Sequence, residues 1–256
     1  MTFLLTYFTL SNAERAETIP SSIELILEEA QQVQETDIAA WRYYRFKRRV
    51  EREELDGSGK VLKREEMEFL ITPGHDGFDE MLIRLNDRSP TSEEITRHQR
   101  LARFNRHYRT LVSGSEEDEE TGGYSLRDLM HRSSYQYDGQ ETVDDLLCHR
   151  INFHPDETRK GWSLRGRFIQ AMAGTLWITV DGYHLYRARV RMVRPIPILF
   201  SLAEIYDLQI HFSSMPVSEG VYLPQRIEVM TSGRVLMIPF RRRNIFSYGN
   251  YMLIIK

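Results

Sequence analysis

The second half of the chain, from Tyr135 onward, is an almost unbroken series of β-strand patterns. Segments rich in β-branched and aromatic residues follow one another at residues 135–143, 145–153, 164–170, 174–180, 184–193, about 204–213, 221–231 and 234–245. Turn signals separate some of them, at Asp138-Gly139, Asp181-Gly182 and Ser232-Gly233. Because short turns join neighbouring strands in antiparallel fashion, this half of the chain predicts an antiparallel meander.

The first half adds helices and a long hairpin. A helix is predicted after Pro20, with Ser21 or Ser22 as its N-cap and its end near Asp37. A second helix begins near Ser92, and its arginines either contact an anionic membrane surface or an acidic partner, or form a solvated face. Further predicted elements are strands at 40–55, 60–72 and 78–85 and a short helix at 125–131. Three helices beside a largely antiparallel sheet make the fold class α+β.

Composition excludes several kinds of function. The 256 residues are 41% hydrophobic and carry a net charge of -3, which fits a packed protein without the basic footprint of a nucleic-acid binder. The chain has no HExxH pair, no GxSxG elbow and no phosphate-binding glycine loop. We therefore predict no enzyme activity, no metal, no cofactor and no nucleic-acid partner. Cys148 is the single cysteine, either a buried apolar thiol or a reactive nucleophile.

The N-terminal residues admit two interpretations. Residues 1–19 contain a short apolar stretch that ends in Ser11-Asn12-Ala13, as a truncated secretion signal and tail would. The alternative is an N-terminal strand or a disordered tail. Residues 20–256 are predicted to form a single domain.

One predicted hairpin has a strand that is apolar on one face along its whole length. In "GTLWITVDGYHLYRARVRM" (174–192), a turn at Asp181-Gly182 pairs Ile178 with Leu185 and Leu176 with Arg187. Arginines alternate with apolar residues in the second strand, so one of its faces is dry along its length. Such a strand suits a filled barrel, and it equally suits an open sheet wrapped around helices or a ligand.

The same hairpin resembles a known family. It is similar to the Gly-x-Leu/Val-Trp-Ile-Asp hairpin of bacterial outer-membrane lipoprotein-sorting proteins, the periplasmic lipoprotein carriers and their relatives. The preceding "YQYDGQETVDDLLCHRINFHP" and the later "GVYLPQRIEV" resemble strands of that family, in matching order over roughly residues 135–245. The chain departs from the pattern at Thr179, where the family usually has an acidic residue.

This resemblance implies a fold and a function. The fold is a strongly curved antiparallel sheet, an incomplete β-barrel, with helices packed in its concave mouth and an apolar cavity between them. The function is that of a non-enzymatic, monomeric periplasmic binding protein that holds acyl chains or another apolar ligand. Its partners would be an acylated lipoprotein or lipid and an envelope membrane protein. The alternative is an envelope-stress sensor or a structural interaction module of the same fold, without lipid cargo.

Eight residues are candidates for the lining or rim of that cavity. The loop "RPIPILFSL" (194–202) is too apolar for a solvated connection, so it is expected either to pack beneath the sheet or to form a rim. For the aromatic candidates, the alternative is ordinary packing in the core. The eight candidates are Trp41, Tyr43, Trp177, Tyr186, Ile196, Ile198, Leu199 and Phe200.

Overall fold

The computed structural model describes residues 22–74, 77–100, 126–158, 164–198 and 202–254. Predictions for residues 1–21 and for the arginines of the second helix beyond residue 100 therefore lie outside the described residues. For the same reason the secretion signal and the extent of the domain stay predictions.

One antiparallel sheet of eleven strands dominates the part of the chain that the structure describes. In chain order the strands are β1 (Tyr44–Leu55), β2 (Val61–Gly74), β3 (Gly77–Leu85), β4 (Ser133–Val143), β5 (Leu146–Pro155), β6 (Met172–Thr179), β7 (Leu185–Met192), β8 (Ile196–Ile198), β9 (Ala203–Ser218), β10 (Val221–Val235) and β11 (Ile238–Leu253). Their spatial order is β3-β2-β1-β11-β10-β9-β7-β6-β5-β4, with β8 paired to β9 beside this path. The order ends at β3 and β4, so the sheet is open.

Four helices accompany the sheet in the described part of the chain. They are α1 (Ile23–Trp41), α2 (residues 92–100), α3 (Leu126–Arg132) and α4 (Leu164–Ile169). Ser22 is the N-cap of α1, and its hydroxyl accepts from the Leu25 N–H at 3.3 Å. Thr91 and Glu94 form a reciprocal capping box at the start of α2, which satisfies backbone donors that the helix itself leaves open.

Helix α1 runs across the sheet. It contacts both β4 and β10, which are five steps apart in the strand order, or about 24 Å in a flat sheet. Its 19 residues span about 28 Å, which is long enough to reach from one strand to the other. The predicted fold class, α+β with helices in the concave mouth of an incomplete barrel, is confirmed.

Three apolar clusters organise the interior. The helix core joins α1 and α3 to β5, β6 and β7 through residues such as Leu27, Ile151 and Leu176. The aromatic core joins β1, β2 and β3 around Phe46 and Met67. The outer cluster lies on the opposite face of β5 and β6, because its residues alternate along these strands with those of the helix core; its buried members are Cys148, Trp177 and Tyr186.

Several predicted boundaries were wrong. Residues 164–169 form α4 and not a strand, since a segment of six residues is too short to show a helical period. Ser232-Gly233 lies inside β10, and the turn comes at residues 236–237. Asp138-Gly139 forms an irregularity within β4, because Gly139 adopts a φ of 85° while the strand continues on both sides.

The pairing of the β6–β7 hairpin was predicted in part. Ile178 lies opposite Leu185, as predicted, but Leu176 lies opposite Ala188 and not Arg187. A bulge between these pairs inserts one residue, Tyr186, into β7.

In the described residues, no helix combines the length and the apolar character needed to cross a bilayer.

Candidate ligand-binding site

Helix α1 covers the concave face of the sheet with its apolar side. Ile26, Leu27 and Ala30 are at most 3% exposed and belong to the helix core. On a helical wheel these positions fall on one stripe, which explains why a helix with many charged residues packs here.

A cleft of about 370 Å³ opens at the N-terminal end of α1, beside the first residues of β4. This volume lies within the range of about 300–1,000 Å³ that small-molecule sites occupy. Its apolar lining consists of Ile23, Leu27, Met130 and Tyr135. Its polar lining consists of Glu24, Glu28, Ser133, Ser134 and Asp156.

The cleft is continuous with the helix core. Leu27 lines the cleft and is also a buried member of that core, against which Ile23, Met130 and Tyr135 pack. The exposed carboxylates of Glu24 and Glu28 lie on the solvent side. The arrangement therefore offers an apolar floor beneath a polar, acidic rim.

The C-terminal part of α1 is fixed by a buried polar contact. Asp37 Oδ2 lies 2.9 Å from His184 Nδ1, and Asp37 Oδ1 accepts the backbone N–H of Tyr222 at 3.0 Å. The His184 ring stacks on Tyr222 at 4.2 Å between centroids. Asp37 and His184 are 8% and 6% exposed, so the contact is largely shielded from water. This contact links α1 to the β6–β7 hairpin and to β10.

Thr179 holds the histidine's own backbone in place. Its hydroxyl accepts the His184 N–H at 2.9 Å and donates to the Asp181 carbonyl at 2.8 Å. Thr179 is 3% exposed. The residue at which the chain departs from the family pattern thus supports the contact that anchors α1.

A buried histidine lies on the helix-facing side of β5. His149 is fully buried, and its Nδ1 is 3.1 Å from the Tyr137 hydroxyl. Its ring stacks on Tyr183, and Nε2 has no hydrogen-bond partner among the described residues. Burial lowers the pKa of His149, which favours the neutral ring.

The structure separates the predicted binding residues. Trp41, the last residue of α1, contacts Phe46, Phe78 and Tyr248 of the aromatic core. Its Nε1 is buried without a hydrogen-bond partner in the described part of the chain. Tyr43 is 56% exposed.

Trp177 and Tyr186 come together in the outer cluster, on the face of the sheet turned away from α1. Trp177 Nε1 donates to Glu141 at 2.9 Å, and the Tyr186 hydroxyl donates to Asp144 at 3.0 Å. Both rings are therefore buried with their polar atoms satisfied.

The "RPIPILFSL" segment is described in part. Ile196 is 2% exposed and lies in β8 opposite Ile205 of β9, while Ile198 is half-buried opposite Ala203. Leu199 and Phe200 lie outside the described residues. A binding role for any of the eight candidates stays a prediction.

Sequence reasoning missed the cleft and the Asp37–His184 contact. One signal was available for the second: Asp37 lies eleven residues after Ile26, about 20° away on the helical wheel, so an acid occupies the apolar stripe. A charge in that position predicts a buried partner. The cleft had no comparable signal, because α3, β4 and α1 meet only in the folded chain.

Comparison with solved structures finds remote matches over most of the chain. A DUF1329 family protein from Desulfovibrio piger is 11% identical, with a TM-score of 0.38 over 90% of this chain and 92% of the other. A LolA superfamily protein from Nitrosomonas europaea is 12% identical, with a TM-score of 0.34 over 91% and 94%. An outer-membrane lipoprotein-sorting domain from Vibrio parahaemolyticus is 9% identical, with a TM-score of 0.31 over 89% and 93%. The family that the hairpins resemble is thus among these remote matches.

No protein-family model matches the chain, and no curated protein matches it in sequence.

Proposed function

We propose that the protein is a non-enzymatic, monomeric binding protein of the periplasm that holds an acyl chain or a similar apolar ligand between α1 and the concave face of the sheet. An acylated lipoprotein or a lipid would be the source of that chain, and a membrane protein of the envelope would be a further partner. The observation that carries the proposal is the cleft beside the N-terminal half of α1.

The lining of the cleft supports an amphiphilic ligand. Ile23, Leu27 and Met130 offer apolar contacts to a hydrocarbon chain. Burial of each methylene contributes about 0.8 kcal/mol, so no single polar residue is needed for affinity. The carboxylates of Glu24 and Glu28 favour a neutral or cationic head group over an anionic one.

The two ends of α1 differ in a way that supports entry at the cleft. Near its C-terminal end, Asp37 is bonded to His184 and to the Tyr222 backbone. Near its N-terminal end the helix lines the cleft. A ligand would therefore enter at the cleft beside the N-terminal end of α1, while the Asp37 contact holds the other end of the helix in place.

The test is uptake of a fluorescent fatty acid by the purified chain and by two tryptophan variants. Met130→Trp places a large ring in the cleft, whereas Met81→Trp places one on β3, where Met81 is 48% exposed. In Met130→Trp the ring should exclude about two methylenes of the fatty acid from the cleft, which should weaken uptake about tenfold. Met81→Trp should bind as the unmodified chain does, and equal uptake by all three would contradict the proposal.

The alternative, a sensor or structural module without cargo, makes a different prediction. Native mass spectrometry of protein purified from its own envelope, followed by solvent extraction, should detect a stoichiometric lipid or acylated peptide if the binding proposal is right. A clean apo mass together with no uptake of the fluorescent probe would favour the alternative.

A further inference from the structure

The turn between β10 and β11 exposes four consecutive apolar residues. Val235, Leu236, Met237 and Ile238 are 52%, 57%, 87% and 72% exposed. Single exposed apolar residues are common on soluble proteins, but a contiguous run at the tip of a hairpin marks an interaction site. We call residues 235–238 the apolar tip.

The backbone of the apolar tip is fixed in place. Val235 pairs with Ile238, and the Leu236 N–H donates to the Leu202 carbonyl at 2.5 Å. Leu202 is itself 56% exposed, so it extends the apolar surface. Leu236 has a φ of 56°, a conformation in which hairpin turns normally place glycine or asparagine. Leucine is unfavourable in this backbone conformation, but its side chain offers apolar surface for a contact.

Two arginines near the apolar tip have no acidic partner in the described part of the chain: Arg242 is exposed, and Arg241 is half-buried with its Nη2 3.9 Å from Met230 Sδ. Arg243 pairs with Glu53 and Arg234 with Glu204, whereas Arg241 and Arg242 form no ion pair among the described residues. The Arg242 guanidinium lies 5.5 Å from the centre of the Phe240 ring.

The neighbouring β1–β2 turn is adjacent to this surface. A Cβ on Gly59 would lie 3.7 Å from Arg241 Nη1. The turn carries Lys60, while the carboxylate of Asp56 accepts hydrogen bonds within the turn itself. Glu54 lies opposite Arg242 in the β1–β11 register and forms no ion pair with it in the described residues. Arg241, Arg242 and Lys60 thus share this surface with the two carboxylates of Glu54 and Asp56, which leaves a small excess of positive charge beside the apolar tip.

We propose that the apolar tip docks on the surface of an anionic lipid bilayer. Leu236, Met237 and Ile238 would enter the interfacial region, and Arg241 and Arg242 would contact anionic head groups. The exposed apolar residues lie at the end of the hairpin, and the two arginines follow Ile238 by three and four positions, so hydrocarbon and positive charge lie at different depths, as an interfacial site requires. This docking goes beyond the binding of a ligand, because it concerns a surface and not a cargo.

The apolar tip lies at the same end of the sheet as the cleft. Val235 lies opposite Ala203, at the start of β9, and β7 ends at this same end of the sheet. Arg194, just after β7, pairs with Glu157, just after β5, at 3.1 Å. Glu157 follows Asp156, which lines the cleft. If the proposed function also holds, docking would turn the mouth of the cleft toward the lipid.

The experiment is sedimentation of the full chain with vesicles of phosphatidylcholine alone or with about one third phosphatidylglycerol. The unmodified chain should bind the anionic vesicles.

Met237→Ser with Ile238→Ser should weaken that binding about tenfold, because less apolar surface would be removed from water on binding. Arg241→Gln with Arg242→Gln should weaken it on anionic vesicles and reduce its salt dependence. Met252→Ser with Leu253→Ser, at exposed residues of the opposite end, is the matched control and should bind normally.

A dye reports the site of contact independently. Met237→Cys can be labelled with an environment-sensitive dye, because the native Cys148 is buried. Its emission should shift to the blue on anionic vesicles, and that of a dye at Met252→Cys should not. No binding by the unmodified chain, unchanged binding by the Met237/Ile238 variant, or equal dye shifts at both sites would overturn the proposal. Met130→Trp should bind vesicles normally, so failure of cargo binding and failure of docking are distinguishable.

Discussion

The carboxylate of Asp37 lies 2.9 Å from Nδ1 of His184, a residue 147 positions later in the chain. The same carboxylate accepts the backbone N–H of Tyr222, 185 positions later. One side chain of α1 therefore satisfies polar groups of two distant segments of the sheet.

Asp37→Ala should lower the free energy of unfolding by about 3 kcal/mol, because it leaves a buried histidine nitrogen and a backbone N–H without their partner. Asp37→Asn keeps an acceptor for the Tyr222 N–H and should lower it by about 1 kcal/mol. Urea unfolding followed by circular dichroism measures both. Glu35→Ala, at an exposed position of the same helix, is the control and should change stability by about 0.5 kcal/mol or less. A loss in Asp37→Ala no larger than in this control would refute the role of the contact.

Gly174→Ala should disrupt the β6–β7 pair. A Cβ at this position would lie 2.1 Å from the backbone oxygen of Arg189 and 2.9 Å from Phe153 Cε1. Neither a strand backbone nor a fully buried ring can move freely, so we expect a loss of about 3 kcal/mol in the free energy of unfolding. Gly249→Ala meets no atom within 4 Å and serves as the matched control. Similar midpoints of urea unfolding for the two variants would show that the pair tolerates the methyl group.

His149 should make stability depend on pH. Burial lowers its pKa in the folded protein, so the unfolded chain binds the proton more readily. Its contribution to stability is complete above the unfolded pKa of about 6.5 and is lost as the pH falls below that value. The slope is at most about 1.4 kcal/mol per pH unit.

His149→Phe should flatten this slope in urea unfolding measured between pH 7 and pH 5. His154→Gln changes an exposed histidine and should keep the slope of the unmodified chain. An unchanged slope in His149→Phe would mean that other groups cause the pH dependence.

Cys148 should be unreactive while the protein is folded. The thiol is fully buried, and burial is the main reason that its pKa is raised to about 11, with smaller contributions from Glu141 and Asp144. Reaction with a chromogenic disulfide reagent at pH 8 should be at least about 100-fold slower in buffer than in denaturing urea, because the thiolate fraction and its access both fall. Fast labelling of the folded chain would instead support the nucleophile interpretation.

Local patterns in the sequence predicted the strands better than the site. The β6–β7 hairpin was found because apolar and cationic residues alternate and Asp181-Gly182 marks a turn. The bulge at Tyr186 has no local signature, so the predicted pairing of Leu176 was one residue off. The predicted end of α1, near Asp37, was four residues early, since the helix continues to Trp41, which packs on Phe46 of the aromatic core.

The candidate site could not be predicted from local patterns, because it is formed by contacts between distant segments. Trp177 and Tyr186 are apolar and aromatic, as cavity residues would be, yet alternation along the strand places Trp177 on the outer face, opposite Leu176. Which face is concave follows from the curvature of the whole sheet, and no single strand encodes it. The apolar tip was missed for a different reason. The sequence predicts a turn at Ser232-Gly233, which is a stronger turn signal than Leu236-Met237.

The position of α1 at the start of the fold has a consequence for how the chain is made. The helix is complete before any of the described strands exists, and its partners His184 and Tyr222 are synthesised 147 and 185 residues after Asp37. Contacts between residues so far apart in the sequence slow folding. The chain loses the conformational entropy of closing the long loop before the contact contributes any stabilisation. During that interval the apolar stripe of α1 has no sheet to pack against, so we expect it to be open to non-native apolar contacts.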